Sequence, residues 1–106
     1  MTPEQRKALA RADAAHGLVG DGQGRYRVSH PWKAGEPEGP TTHTAGTFTY
    51  TQARQARARY VAFCALVLCG ADSREAEDAT ADKTGRAIDM FRDALVSLDL
   101  GSPKAA

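Results

Sequence analysis

The sequence predicts a small single-domain α+β fold, on three observations. Residues 17–51 combine glycine-rich turns with two short alternating segments, residues 60–69 are apolar on every side, and residues 88–98 set large apolar side chains on one helical stripe. The expected order is an N-terminal helix, a two- or three-stranded antiparallel sheet, a central apolar helix and a C-terminal amphipathic helix. At 106 residues and 42% hydrophobic content, the chain can bury one modest core without metal or disulfides. Residues 1–101 are therefore expected to form one domain and residues 102–106 a frayed tail.

Each element has its own signal. Thr2 caps the first helix, Pro3 fits its first position and Gln5 closes a capping box, with Gly17 as the expected stop. Leu9 is the only large apolar residue within this helix, which predicts thin burial and weak docking. Leu18 and Val19, the glycine-dense turn at 20–24 and the alternating segment 25–29 read as a hairpin. Its second strand turns Tyr26 and Val28 inward and Arg25 and Arg27 outward. Residues 30–40 hold three of the five prolines and read as a loop, with Trp32 folded back onto the core.

Alternation over residues 47–51 predicts a strand with Phe48 and Tyr50 on one face. Thr51 then caps a helix running to about Cys69, stopped by Gly70. The second half of that helix is apolar all round, so it must be packed on more than one side, between sheet and helix or between two copies of the chain. The last helix starts between Asp72 and Thr84, with Asp72 and Glu75 as a capping box or a break at Thr84 and Gly85. Ile88, Phe91, Leu95 and Leu98 form its buried stripe, Asp82, Arg86, Asp89 and Asp93 lie opposite, and Gly101 and Pro103 end it.

Composition narrows the function classes. The net charge of +1 carries no whole-chain argument for nucleic acid or membrane, yet residues 1–59 hold nine basic and five acidic side chains while residues 60–106 hold five and eight. That asymmetry predicts a basic face and an acidic one, or head-to-tail contact between copies. Cys64 and Cys69 would lie about 140° apart on a helix, too divergent for an easy disulfide, and are expected to be buried thiols in a reducing compartment. The N-terminal stretch lacks the apolar core of a signal peptide, and the apolar run at 61–69 is too short to span a bilayer, so a cytoplasmic location without membrane contact is expected.

Motifs for chemistry are sparse. His16, His30 and His43 with Cys64 match no metal-ligand spacing and read as surface histidines, and the acidic residues Asp72, Glu75, Glu77, Asp78 and Asp82 lack the pattern of a calcium loop. The glycines at 20–24 have no following Lys-Ser/Thr and read as a turn. No nucleophile with its base is evident. Neither cofactor nor metal nor enzymatic activity is expected.

The leading expectation is a non-enzymatic adaptor or regulatory protein that binds another protein. It is expected to be a homodimer on the central and last helices, with Phe63, Val67, Phe91 and Leu95 at the interface. The alternative is a nucleic-acid-binding module using Arg25, Arg27, Lys33, Arg54 and Arg57. Over residues 24–60, strands with outward Arg and Thr followed by a helix resemble in outline the DNA-binding arm domains of tyrosine-type integrases. The proline-rich loop departs from the tight hairpins of that family.

Overall fold

A computed structural model of the chain describes residues 1–100, and the expected α+β order is present in it as four helices and a three-stranded antiparallel sheet. Helix α1 spans Pro3–Ala14. The Thr2 hydroxyl accepts from the Gln5 amide and the Gln5 side chain accepts from the Thr2 amide, the reciprocal capping box that the sequence predicts. Its other end differs from expectation, because Gly17 is not a left-handed stop but opens strand β1. Helix α1 is closed instead by His16, whose Nδ1 lies 2.6 Å from the Ala12 carbonyl, and by Arg57, which donates to the carbonyls of Asp13 and His16. These contacts occupy carbonyls that a helix end leaves without partners. Besides half-buried Leu9, the helix buries Gln5, Ala8 and Ala12, and the small alanine side chains let it approach its neighbour closely.

Strand β1 (Gly17–Gly20) pairs with β2 (Tyr26–Pro31), with Leu18 opposite Val28 and Val19 opposite Arg27. Val28 is fully buried and Arg25 and Arg27 are exposed, in keeping with the alternation. Gly22 and Gly24, at φ +80° and +82°, make the turn, and the Asp21 carboxylate accepts from the Gln23 and Arg25 amides at 2.7 and 3.1 Å. Those amides are thereby already engaged by a carboxylate of their own turn.

The expected strand over 47–51 is the clearest departure. Strand β3 is Thr41–His43, paired with β2, while Phe48 contributes only an isolated bridge to Tyr26. Thr49, not Thr51, caps the central helix and closes a second capping box with Gln52. A Thr-x-x-Gln start thus overrides the local alternation, and Tyr50 and Thr51 become helical. Trp32 also departs from expectation, being 68% exposed. Its loop is held without the indole: Pro37 is buried, Ala34 packs on the core and accepts from the Cys64 thiol, and Arg11 grips Glu38 through two hydrogen bonds of 2.6 and 2.8 Å.

Helix α2 (Tyr50–Leu68) is the axis of the fold and touches α1, both strands of the first hairpin, and the two helices that follow. In its apolar half Val61, Ala62, Cys64, Ala65 and Leu66 are buried within the chain, with Phe63 and Val67 partly buried beside them. It ends at Gly70, φ +97°, where the Gly70 and Ala71 amides reach back to the Val67 and Leu66 carbonyls and Ala71 is buried. What the sequence leaves as one last helix or two is two. Helix α3 (Ser73–Thr80) is capped by Asp72, which accepts from the Arg74 amide, and helix α4 (Ala87–Ser97) follows a linker turned by Gly85 at φ +115°. Phe91 and Leu95 are buried with Met90 and Ala94, while Ile88 and Leu98 sit at the margin of the stripe. Helix α4 stops earlier than expected, with Asp99 left-handed at φ 55° and the Leu100 amide donating to the Leu95 carbonyl. Gly101, Pro103 and the tail at 102–106 lie outside the described residues. Among the described residues, no helix is long and apolar enough to cross a membrane.

Candidate protein-binding groove

Helix α1, the polar first half of α2 and the start of α4 leave an open groove between them, with a cavity volume of about 860 Å³. The element order explains its position. Alanines on α1 and α2 bring those helices together, and the Gly85 turn sets α4 beside them: its amide donates to the Gln55 side chain at 3.1 Å, and Arg59 donates to the Lys83 carbonyl in the same linker. Half-buried Leu9, Leu18, Ala58 and Ile88 form an apolar floor.

The rim is cationic, with Arg6 from α1, Arg54 and Arg57 from α2 and Arg86 at the cap of α4. Arg57 is held down by Asp13 at 3.1 Å, and Arg86 by Asp89 at 3.0 Å, a contact that keeps the Asp89 carboxyl below its ordinary range. Arg6 and Arg54 line the groove from separate helices, and among the described residues neither has an ionic partner. The Arg54 guanidinium lies 5.8 Å from the centroid of the exposed Tyr50 ring. Among the described residues, Asp13 is the only acidic one lining the groove, and no histidine or cysteine lines it. It therefore presents apolar contact and positive charge.

The residues singled out from sequence divide between this site and others. Arg54 and Arg57 line the groove; Arg25, Arg27 and Lys33 do not. Arg25 donates to the Thr47 hydroxyl and carbonyl, and Arg27 to the carbonyls of Thr44 and Ala45, so the two arginines clasp the turn that leads into α2. Lys33 is exposed on the β2–β3 loop. Phe91, fully buried, and Leu95, 5% exposed, are filled in from within the chain and offer no surface to a partner in this form. Phe63 and Val67 are half-buried against the same core, and a side chain at Gly35 would meet Val67 Cγ1 at 3.9 Å. Arg6, Arg86, Leu9 and Ile88 were missed as site residues, because nothing in local spacing shows that three separate helices converge on them.

The histidines need one correction. His16 is 8% exposed rather than on the surface, and His30 is half-buried. The Tyr60 ring stacks between them, its centroid 6.4 Å from His16 and 5.0 Å from His30. Burial holds the His16 pKa below its ordinary value, and the nearby Arg57 acts in the same direction. Cys64 and Cys69 are free thiols, and burial pushes that of Cys64 up to about 11. Among the described residues, no three potential metal ligands cluster. Comparison with known proteins finds no family model, no curated protein and no solved structure that matches this chain.

Proposed function

We propose that this chain is a non-enzymatic protein-binding module, and that it binds through the groove between α1, α2 and α4. One observation carries the reading: an apolar floor lies under a rim whose Arg6 and Arg54 have no ionic partner among the described residues. Such a surface matches an amphipathic segment that lays apolar side chains on the floor and carboxylates toward the rim, the helix-in-groove mode of recognition. Charge complementarity then sets orientation and excludes basic segments.

A direct test uses two fluorescein-labelled amphipathic helical peptides with the same apolar face, one acidic and one basic. The acidic peptide should bind, more weakly as salt rises, and lose affinity with Arg54→Glu or Ile88→Asp. Binding of neither peptide, or equal binding of both that survives these substitutions, would refute the reading.

The nucleic-acid alternative was expected on Arg25, Arg27, Lys33, Arg54 and Arg57; within the groove it would draw on the same two guanidinium groups, Arg6 and Arg54. If Arg6 and Arg54 each neutralise a phosphate, duplex DNA binding should show a log–log salt slope near about −1.8, at roughly −0.9 per contact. The apolar floor has no counterpart in a phosphate backbone, and it places the protein reading first. A DNA complex with that slope, lost with Arg54→Glu, would reverse the order.

A further inference from the structure

The outer face of α4 carries a second unusual feature, and it complements the groove. Val96 is 82% exposed, more than any other large apolar side chain among the described residues. Asp89 and Asp93 precede it by seven and three positions, so all three share the face opposite the buried Phe91 and Leu95. Asp89 is engaged by Arg86 of its own chain. Among the described residues Asp93 has no ionic partner. The end of α4 thus offers a carboxylate beside a bare apolar side chain, while Arg86 and Ile88 at its start belong to the groove.

We propose that the occupant of the groove is a second copy of this chain, docked by antiparallel pairing of α4 with α4 about a two-fold axis. The inference rests on the groove being a protein-binding site. At 11 residues α4 is about 16 Å long, and an antiparallel pair sets the acidic, apolar end of each copy over the basic, apolar start of the other. Val96 of one copy then lies on the Leu9 and Ile88 floor of its mate, with Asp93 against Arg54 or Arg6. Both contacts occur twice, and the two-fold closes the assembly at a dimer. The charge asymmetry between the two halves of the sequence becomes the complementarity of this interface. An acidic segment of another protein would have to displace α4, so self-association would control access to the groove.

Sedimentation velocity over a range of protein concentrations tests this, with circular dichroism to confirm that each variant is folded. Wild type should show a concentration-dependent monomer–dimer equilibrium that weakens with salt. Val96→Asp, Asp93→Lys and Arg54→Glu should each weaken it at least tenfold. Combining Asp93→Lys with Arg54→Glu in one chain should restore dimerisation, because each new charge meets its complement across the axis. Val96→Asp, with its groove vacated, should bind the acidic peptide more tightly than wild type. A wild-type chain that stays monomeric at the highest concentration, a dimer indifferent to these substitutions, or assembly beyond two copies would overturn the proposal. If the monomeric chain still binds the acidic peptide, the groove reading stands and only the second copy is refuted.

Discussion

Replacing Arg57 with alanine should reveal whether this arginine is a ligand contact or a structural clamp. Its guanidinium donates to the Asp13 carbonyl at 2.9 Å, to the Asp13 carboxylate at 3.1 Å and to the His16 carbonyl at 3.2 and 3.3 Å. The ion pair contributes little, because the Asp13 side chain is 62% exposed and such pairs are worth about 0–1 kcal/mol. The carbonyls matter more: a hydrogen bond from a charged donor nets about 1.5–3 kcal/mol, and besides Arg57 the Asp13 carbonyl at this helix end has, among the described residues, only backbone amides, that of His16 at a long 3.4 Å. Arg57→Ala should therefore cost about 2–3 kcal/mol. At roughly 4–8 °C per kcal/mol for a domain of this size, Tm should fall by about 8–24 °C. Asp13→Ala should cost under about 1 kcal/mol, and the exposed Arg54→Ala about 0.5 kcal/mol or less. Arg57→Lys keeps the charge but not the planar fork, so most of the loss should remain. Thermal unfolding followed by circular dichroism ranks the four variants. If Arg57→Ala melts with Arg54→Ala, the clamp is not what holds the end of α1, and Arg57 returns to the residues available for a ligand.

Three further outcomes follow from named contacts. Phe91→Ala should cost about 3–5 kcal/mol in chemical denaturation, whereas Val96→Ala should leave monomer stability nearly unchanged, since only the first side chain is enclosed; comparable effects would mean that α4 is not docked by that face. Asp99→Gly should raise stability by up to about 1 kcal/mol, because Asp99 holds φ 55° at the end of α4 where glycine carries no Cβ penalty; a lower Tm would contradict that helix end. His16 is neutral and buried, with a folded pKa below the ordinary 6.5, so the unfolded chain binds more protons on acidification. Stability should be intact above about pH 6.5 and decline as pH falls through the folded value, before the carboxylates titrate near about 4. His16→Asn should flatten that decline in Tm scans between neutral pH and about pH 5, and an identical slope in both proteins would sink the assignment.

Local chemistry made much of this protein legible from sequence. The capping box at Thr2 and Gln5, the glycine turn at 20–24, the stop at Gly70 and the buried stripe through Phe91 and Leu95 are all short-range signals, and each stands where the sequence places it. The misplaced start of α2 was a contest between two local signals, alternation over 47–51 and Thr49 with Gln52, in which the hydrogen-bonded cap prevailed. Similarly, Asp99 ends α4 without the glycine that a pattern search looks for.

The groove was legible only in its parts. Arg54 could be picked out as a basic residue, but that it shares a groove with Arg6 depends on how α1 lies against α2, which buried alanines decide and hydrophobic stripes do not announce. Arg57 showed the same side-chain chemistry in sequence and became a clamp because the fold brings it, 41 and 44 residues away in the chain, to the last carbonyls of α1. Trp32 faces outward while Ala34, Pro37 and Glu38 hold its loop. Sequence by itself thus determined the fold class, the order of the helices, the first hairpin, the cap of α1 and the stop of α2, because those rest on contacts a few residues apart, while β3 and the cap of α2 lay outside what the local pattern placed. Tertiary structure alone decided which arginines face solvent, which apolar residues are filled from within, and where a partner could bind, because those depend on distances between segments that the chain brings together only by folding.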